Sequence, residues 1–286
     1  MPELPEVETV RKSLKLQLQN CIIKNIKIYW NSIIKEPDID NFKKLLINQK
    51  INDLKRKAKY LIFELDDYVL ISHLRMEGKY YYQKLNDDIN WKHVLLVLEL
   101  DNGYQLRYHD TRRFGTFHLQ KKIEYQNKKP LINIGPEPFS KEVDVLYLQN
   151  KFKNKNRAIK TMLLDQTIIS GLGNIYADEV LFASKIHPKT ICKNLQPIHL
   201  ERILKTSQEI LKLAIKLKGT TIASYTSQLG VIGKYQELLK VHTRVEQKCY
   251  NCENLITKIK LNGRGTYFCS DCQKFIQENN SILEIL

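Results

Sequence analysis

Short runs that alternate hydrophobic and polar residues fill the first half of the chain, after one opening stretch with helical periodicity. In that stretch the apolar residues recur at every third or fourth position, as Val7, Val10, Leu14 and Leu18. Pro5 suits the first turn of such a helix. We therefore predict an opening helix and then mainly strands up to residue 125. The predicted strands are Cys21–Trp30, Tyr60–Leu65, Tyr68–His73, Val94–Leu100 and Gln105–Tyr108, with turns at Asp66–Asp67 and Asp101–Gly103.

The second half changes to helical spacing. From Val143 to Leu217, leucine and isoleucine recur every three or four residues, which predicts helices. One helix is expected around Arg157–Gln166 and another over Ile175–Ala183. After them, short strand-like runs return around a group of cysteines. Between the two halves, Leu131–Phe139 contains one glycine and two prolines, which favours a hinge.

These patterns predict an α+β multidomain protein. At 286 residues the chain exceeds the size at which one hydrophobic core usually stops growing. We expect a strand-rich first domain with its opening helix over residues 1–130 and a linker over 131–142. A helical domain over 143–235 and a small metal-binding module over 236–286 complete the plan.

The charge of the chain points to a polyanionic partner. There are 46 lysines and arginines against 31 aspartates and glutamates, which gives a net charge of +15. A membrane surface is disfavoured, because the chain has no run of 18 or more apolar residues. A general bias of the source towards lysine, asparagine and isoleucine remains an alternative explanation, so charge alone favours nucleic acid only somewhat.

The amino terminus and the cysteines indicate the compartment. The opening residues Met-Pro-Glu-Leu-Pro-Glu lack the basic and apolar regions of a secretory signal. Four of the six cysteines fall into two Cys-x-x-Cys pairs, which is not typical of a secreted disulfide scaffold. We therefore expect a reduced, cytoplasmic protein.

The two cysteine pairs predict a structural zinc site. The pairs are Cys249 with Cys252 and Cys269 with Cys272. Four thiolates complete a closed tetrahedral shell, so we expect one structural Zn²⁺ per chain. Two disulfides and an iron–sulfur site are the alternatives.

Two segments suit the binding of phosphate. Arg264 lies between two glycines in Asn262–Thr266, where the backbone can approach a surface closely and the guanidinium can hold phosphate oxygens. Asn174 follows Gly171-Leu-Gly173 at the start of a predicted helix, where backbone N–H groups attract anions. Basic residues precede this loop, namely Lys155, Arg157 and Lys160. The alternatives are an exposed turn arginine and a plain turn between helices.

Two turns carry residues that could enter a base stack. Arg112, Arg113 and Phe114 follow one predicted strand, and Met76 follows another. Proteins that kink DNA insert apolar side chains between base steps, and an enzyme that flips a base must fill the space left behind. The alternative is that Phe114 and Met76 are core residues.

The amino terminus could supply a nucleophile. Removal of Met1 would leave Pro2 with a secondary amine, and an α-amino group titrates near pH 8, well below lysine. Such an amine forms an iminium with a sugar carbon, and Glu3 beside it could donate a proton. The alternative is a proline that only starts a helix.

Taken in order, these motifs resemble the bacterial formamidopyrimidine-DNA glycosylases. The similar segments are Pro2–Thr9, Lys57–Leu61, His73–Gly78, Asp110–Gly115, Ile134–Pro138, Leu164–Gln166, Gly171–Glu179 and the cysteine-containing segment with Arg264. The similarity runs from residue 2 to about residue 273. It implies an amino-terminal β-sandwich, a helical helix–two-turn–helix domain and a carboxyl-terminal β-hairpin zinc ribbon.

The resemblance also implies a function. It is that of a monomeric bifunctional DNA glycosylase and abasic-site lyase of base excision repair, which acts on double-stranded DNA containing oxidised purines or abasic sites. The family removes 8-oxoguanine and formamidopyrimidines through a Schiff base on the terminal proline and then cleaves the strand by β,δ-elimination. No catalytic cofactor is needed, and no membrane is involved.

Individual residues acquire expected roles from the same resemblance. Pro2 is the expected nucleophile, Glu3 the acid on the sugar, Lys59 the residue assigned to β-elimination, and Arg264 the phosphate grip assigned to the second elimination. The expected DNA-binding residues are His73, Met76, Arg112, Phe114, Lys155, Lys160 and Asn174. The expected lesion-base pocket comprises Glu6, Glu77, Thr220, Ser224 and Tyr235, the last within the Gly230–Tyr235 loop.

The chain departs from the family pattern in several places. Trp91-Lys92-His93 replaces a run with two histidines, so one expected phosphate contact is missing. Thr111 stands in place of a proline, Asn156 in place of a common lysine, and His242-Thr243-Arg244 in place of Tyr-Gly-Arg. Residues 274–286 extend past the usual end.

Two other functions stay open. A sister class removes oxidised pyrimidines, although Leu4 and the Arg112–Phe114 pair favour the purine enzyme. A non-catalytic lesion-binding protein would not need a free Pro2. The mass of the native amino terminus would discriminate between this possibility and an enzyme.

Overall fold

The computed structural model describes residues 1–87, 91–220 and 233–277. The chain divides into two units, which we call the sandwich unit (Met1–Asn133 with Ala214–Gln236) and the zinc unit (Ile134–Leu213 with Glu237–Leu286). The first division falls inside the predicted linker 131–142. The predicted helical domain over 143–235 is itself divided, because residues 214–236 group with the sandwich.

The sandwich unit contains two helices and two sheets. Its elements are α1 (Leu4–Leu18), β1 (Ile23–Ile28), β2 (Ile34–Glu36), α2 (Ile39–Leu46), β3 (Asp53–Lys57), β4 (Tyr60–Glu64), β5 (Tyr68–His73), β6 (Lys79–Lys84), β7 (Val94–Leu100), β8 (Tyr104–His109) and β9 (Thr116–Lys121). One sheet has the order β1-β7-β8-β6 and the other the order β2-β9-β5-β4-β3. All neighbours are antiparallel except β2 and β9.

The core of this unit lies between the sheets and under α1. Val7, Val10, Leu14 and Leu18 form the buried stripe of α1, as their spacing predicts. They pack with apolar residues from both sheets in one continuous cluster. Because alternate residues of a strand point to opposite faces, the outward-facing residues of β6 and β8 are left to form a second surface.

The zinc unit is mainly helical and ends in a hairpin. Its elements are α3 (Val145–Phe152), α4 (Ile159–Leu163), α5 (Asn174–Ala183), α6 (Pro197–Lys216, whose last residues group with the sandwich unit), β10 (Thr257–Leu261) and β11 (Arg264–Phe268). Asn262 and Gly263 connect the two strands with φ values of 46° and 77°, as in a tight hairpin turn. An α+β multidomain protein with a sandwich, helices and a zinc hairpin is therefore confirmed.

The elements differ from the sequence prediction in a few places. The helix expected around Arg157–Gln166 is only α4, because Asp165 accepts the backbone N–H and hydroxyl of Thr167 and starts a turn. Several short elements were not predicted, namely β2, α2, β3, β6 and β9. In the described part of the chain, no helix combines the length and hydropathy needed to span a bilayer.

Candidate functional site

The first residues of the chain are buried in the sandwich unit. Pro2 and Glu3 precede α1, and both are covered. The Glu3 backbone N–H donates to Glu6 Oε2 at 2.8 Å, which satisfies one of the otherwise unpaired donors at a helix start. Glu6 thereby fixes the peptide group between Pro2 and Glu3, the two residues that the sequence selects for catalysis.

Glu6 also holds a distant part of the same unit. Its Oε1 accepts the backbone N–H of Thr220 at 2.8 Å and the Thr220 hydroxyl at 3.1 Å. Gly219 has a φ of +76°, and a Cβ there would lie 2.6 Å from Glu6 Oε1, so only glycine fits this approach. Tyr235 donates its backbone N–H to Gly219 O at 3.0 Å. Three predicted pocket residues, Glu6, Thr220 and Tyr235, therefore lie together, whereas Ser224 lies outside the described residues.

The turn between β3 and β4 carries Lys59, which is buried. Ala58 has a φ of +52°, so the turn is tight. Arg56 donates from Nε to Glu8 on α1 at 3.0 Å and from Nη1 to Ala58 O at 3.1 Å. Burial tends to raise the pKa of Glu8, but hydrogen bonds and charges from Arg11 and Arg56 hold it below its ordinary value. The charged Glu8 thus ties the Lys59 turn to the helix that begins beside Glu3.

His73 ends β5 as a buried, neutral ring. Burial, with the charges of Arg75 and Lys59, lowers the pKa of His73 to about 3. Its Nδ1 accepts the backbone N–H of Arg75 at 2.9 Å, so the single proton is on Nε2. The Tyr60 ring meets it edge-on at 4.5 Å. A neutral ring with a fixed Nε2–H is a donor suited to a phosphate oxygen.

The two predicted wedge turns converge on one side chain. Leu74–Gly78 connects β5 to β6, and Asp110–Gly115 connects β8 to β9. A Cβ on Gly78 would lie 2.2 Å from the Tyr108 hydroxyl oxygen, and one on Gly115 would lie 1.8 Å from it. Both turns therefore close tightly around Tyr108. This arrangement brings the turn carrying Met76 beside the turn carrying Phe114.

The second wedge turn is shaped by a carboxylate that the sequence motif does not explain. Buried Asp110 accepts three backbone N–H groups, from Arg112 at 3.0 Å, Phe114 at 2.9 Å and Gly115 at 2.8 Å. The Phe114 side chain is 52% exposed, so it is not a core residue. The Arg112 guanidinium lies 4.8 Å from its ring centre. An exposed aromatic ring on a rigid turn fits the wedge interpretation.

Glu77, another predicted pocket residue, contacts the wedge turn Asp110–Gly115. The Thr111 hydroxyl donates to its carboxylate. A proline at position 111 could not make this bond, so the departure from the family motif supplies Glu77 with a partner.

In the zinc unit, Arg264 is exposed at the start of β11, directly after the hairpin turn. Asn174 Nδ2 donates to Gly265 O at 2.9 Å, and Asn262 Nδ2 donates to Thr161 Oγ1 at 2.7 Å. These bonds hold the hairpin tip against α4 and the start of α5. Lys155 is exposed just before α4. The hairpin is thus a rigid mount for Arg264.

Lys160 corrects the sequence prediction. It was expected to contact DNA, but its side chain is 1% exposed and its Nζ lies 2.7 Å from the Asp178 carboxylate. The same Nζ donates to Thr266 Oγ1 at 2.8 Å and to Gly265 O at 3.0 Å. His242 Nδ1 lies 2.8 Å from the other Asp178 oxygen. Lys160 is therefore a buried anchor of the Arg264 hairpin, and phosphate cannot reach it.

The four cysteines fit one zinc ion. Their sulfur atoms all lie within 4.8 Å of one another. The distances are 3.8 Å for Cys249 with Cys272 and 3.4 Å for Cys252 with Cys269. Four sulfurs at about 2.3 Å from a tetrahedral metal lie about 3.8 Å apart. The cysteines form one structural zinc site, which packs on Phe182 of α5.

Sequence reasoning missed the residues that position the site. Glu8 and Arg56 hold the Lys59 turn, Asp110 shapes the wedge, and Asp178 binds Lys160 and His242. Asp110 and Asp178 lie inside the matched motifs, but a motif does not say which of its residues point inward. For Asp178, the signal that could have found it is the pair of acidic residues within the otherwise apolar helix α5.

Comparison with known proteins identifies the family. Residues 1–117 match the formamidopyrimidine-DNA glycosylase N-terminal domain, residues 134–226 the formamidopyrimidine-DNA glycosylase H2TH domain, and residues 246–274 a zinc finger found in FPG and IleRS.

Similar proteins cover nearly the whole chain. Formamidopyrimidine-DNA glycosylase of Ureaplasma parvum is 46% identical over 96% of this chain and 100% of its own length. That of Mycoplasma pneumoniae is 43% identical over 96% of this chain and 99% of its own. Lactococcus lactis Fpg bound to abasic-site DNA is 40% identical, with a TM-score of 0.89 over 96% of this chain and all of that one. A point mutant of the Lactococcus lactis protein, solved with Fapy-dG DNA, is 39% identical to this chain. Its TM-score is 0.90 over 96% of this chain and all of that one. The chain therefore belongs to the formamidopyrimidine-DNA glycosylase family.

Proposed function

We propose that this protein is a DNA glycosylase of base excision repair that excises oxidised purines from double-stranded DNA and then cleaves the strand. It acts as a monomer in the reducing cytoplasm and needs no catalytic cofactor. The observation that carries the proposal is the amino-terminal corner. Pro2 and Glu3 are buried, and Glu6 fixes their backbone beside Thr220. The family relation, with relatives solved on Fapy-dG and abasic-site DNA, supports the substrate.

The first step is base removal by the Pro2 nitrogen, after Met1 has been cleaved off. Its lone pair forms a bond to the sugar C1′, and the glycosidic bond breaks with its electron pair going to the base, which takes up a proton. Glu3 protonates the ring oxygen as the C1′–O4′ bond opens. An iminium then links Pro2 to the opened sugar.

Strand cleavage follows from the charge of that iminium. It acidifies the C2′ proton, and loss of this proton expels the 3′ phosphate by β-elimination. A second elimination expels the 5′ phosphate, and water releases the amine. Lys59 is the proposed residue for the first elimination, and Arg264 is the proposed grip on the phosphate in the second.

The remaining residues are proposed to bind DNA or the damaged base. His73, Lys155 and Asn174 contact phosphates, and Lys160 is excluded because it is buried against Asp178. Met76, Arg112 and Phe114 fill the space left by the flipped base. The lesion pocket comprises Glu6, Glu77, Thr220, Ser224 and Tyr235, with Glu6 acting mainly through its bonds to Glu3 and Thr220.

Borohydride trapping tests the mechanism. Reductant added during turnover of an 8-oxoguanine duplex should freeze a covalent protein–DNA adduct, and peptide mapping should place it on Pro2. Mass spectrometry should show that Met1 is absent from the active protein. An adduct on Lys59 alone, or efficient cleavage without any adduct, contradicts the proposal.

Two matched variants separate the roles. Glu3→Gln should reduce base removal by at least about 100-fold, on the order expected for loss of a general acid, while leaving lesion binding intact. Glu124→Gln, which removes an exposed carboxylate paired with Lys128, should act like wild type. Lesion binding without excision by the wild-type protein would instead establish a non-catalytic lesion-binding protein.

A further inference from the structure

The outward face of β6 and β8 contains a cavity in which only Glu77 has a role in the proposed mechanism. It has a volume of about 440 Å³ and is lined by Glu77, Lys79, Tyr81, Gln83, Lys92, His93, Arg107, His109, Asp110 and Thr111. Tyr81 pairs with Arg107, and Lys79 with His109, across the two strands. Leu106 and Tyr108 point the other way into the core. We call this cavity the Arg107 pocket.

Arg107 is the unusual member of this set. The residue is only 3% exposed, yet its Nε and Nη1 have no hydrogen-bond partner among residues 1–87, 91–220 and 233–277. Its one described ring contact is with Tyr81, 5.5 Å from the guanidinium. A buried charged donor without a hydrogen-bond partner is strongly unfavourable, because it loses its hydration and gains nothing in return. Such a group calls for an anion or ordered water.

His109 has the same property on the same face. Its Nε2 lacks a hydrogen-bond partner within the described chain, and its ring packs on Tyr81 with centres 4.1 Å apart. Burial, together with the charges of Arg107, His93 and Lys79, lowers the pKa of His109 to about 4. His109 therefore lies in a cationic environment.

The carboxylates of the pocket are already engaged. Asp110 accepts three backbone N–H groups of the wedge turn, and Glu77 accepts the Thr111 hydroxyl. Asp87 favours the charged form of Arg107 from nearby, but it accepts the backbone N–H of Lys84. Because these carboxylate oxygens accept hydrogen bonds from neutral groups of the protein, the donors left for a ligand are those of Arg107 and His109.

We infer that the Arg107 pocket binds a phosphate group, with Arg107 as the central donor and His109 as the second. The planar guanidinium and a neighbouring imidazole match tetrahedral oxyanions, and the volume admits a phosphate monoester or one phosphate of a longer chain. The ligand is either free phosphate or nucleotide, or a backbone phosphate of DNA. The pocket lies at the base of both wedge turns, where DNA is proposed to bind.

Thermal denaturation of the full-length, zinc-loaded protein tests the site. Inorganic phosphate at about ten times its dissociation constant should raise the Tm by about 3 °C relative to chloride of equal ionic strength. Arg107→Met should abolish this response. Arg11→Met is the matched control, because it removes a half-buried guanidinium paired with Glu8, and it should keep the response. Equal responses of wild type and Arg107→Met overturn the site.

A second measurement protects the test against a variant that does not fold. The imidazole of His109, followed by NMR in the wild-type protein, should titrate at higher pH when phosphate is added, because an adjacent anion favours the protonated ring. His109→Gln should weaken phosphate binding several-fold. A His109 titration unchanged by saturating phosphate also overturns the site.

Duplex DNA separates the two sources of phosphate. If a DNA phosphate occupies the pocket, undamaged duplex should compete with inorganic phosphate, and Arg107→Met should make the salt dependence of duplex binding shallower by about 0.9 in log–log slope. If the ligand is free phosphate or nucleotide, the slope stays unchanged while the Tm response persists. Either outcome supports a phosphate site. These measurements involve no damaged base or strand cleavage, so they stand or fall separately from the proposed catalysis.

Discussion

Lys160 in the zinc unit and Arg107 in the sandwich unit are both deeply buried cations, but their surroundings are opposite. Lys160 meets Asp178 at 2.7 Å and donates to two acceptors on the hairpin. Arg107 has two nitrogens without a hydrogen-bond partner in the described residues. An unpaired buried charge is unfavourable. Lys160, whose partners are present in the protein, is therefore a structural anchor, whereas Arg107, which lacks partners, marks a binding site. Burial alone would not distinguish them.

Removal of zinc should have the largest effect, because the zinc site holds the hairpin β10–β11 that Lys160 contacts. Structural zinc contributes on the order of 10 kcal/mol to the folding of small zinc modules. Chelation, or Cys269→Ser, should therefore abolish hydrogen-exchange protection of β10 and β11 and weaken DNA binding. The Tm response of the Arg107 pocket to phosphate should remain. Full protection of the hairpin in protein shown to hold well below one zinc per chain would contradict this prediction.

Lys160→Met should show the next largest effect. It leaves the Asp178 carboxylate buried without its cation, which typically costs about 3–5 kcal/mol. Arg107→Met removes an unpaired buried charge, so it should raise the free energy of unfolding in chloride rather than lower it. Urea denaturation measures both. Lys260→Met, on an exposed position of the same hairpin, is the control for Lys160. Similar losses for Lys160→Met and Arg107→Met would remove the distinction between anchor and site.

Acid should test the neutral side chains of the sandwich unit. His73 has a pKa of about 3 in the folded chain, against about 6.5 when unfolded. The unfolded chain therefore binds more protons between these values, so the stabilisation is complete above pH 6.5 and is lost as the pH falls towards 3. Between about pH 7.5 and 5, His73 should account for about 2 kcal/mol of lost stability.

The control for this prediction is His73→Asn, which keeps an acceptor near the position of Nδ1 but does not titrate. The pH dependence of urea denaturation should be flatter in this variant by that amount. A wild-type and variant pair with parallel pH profiles would show that His73 is not neutral in the folded protein.

His242→Phe should have the smallest effect of the series. The ring packs against Tyr267 with centres 4.8 Å apart, and phenylalanine can keep that contact while losing the bond to Asp178. A single hydrogen bond contributes about 1 kcal/mol net. His242→Asn keeps a hydrogen-bonding group but loses the ring, so the two variants separate the contributions. A loss as large as that of Lys160→Met would show that His242, rather than Lys160, is the main partner of Asp178.

The sequence predicted elements best where local pattern and tertiary burial agree. Tyr68–His73 and Val94–Leu100 are mainly apolar runs next to the predicted turns Asp66–Asp67 and Asp101–Gly103, and the observed bounds are the same. Lys79–Lys84 was missed because its three successive tyrosines obscure the alternation of inward and outward positions. Ile39–Leu46 was missed because it is only 8 residues long.

The candidate site was predictable where the spacing of residues in the sequence is enough to indicate the chemistry. It was less predictable where a contact distant in sequence decides the role of a residue. The zinc ligands are recognisable from their spacing, because two tight turns suffice to bring them together. Lys160 lies among basic residues, which suggests phosphate, but Thr266, which it contacts, is 106 positions away. The contacts of Asp178 with Lys160 and His242 form only in the folded chain. Local sequence could not show that this lysine is turned inward.

Tyr108 has a mechanical consequence. Its hydroxyl lies between Gly78 and Gly115, and its ring packs on Tyr80 and Phe117 with centres 5.2 and 4.9 Å apart. In the proposed function, both wedge turns push into a stack of bases that resists them. The load passes from each turn through this one ring into strands of both sheets, so the two turns yield together or not at all. A larger residue at either glycine would displace the Tyr108 side chain and so loosen both turns at once.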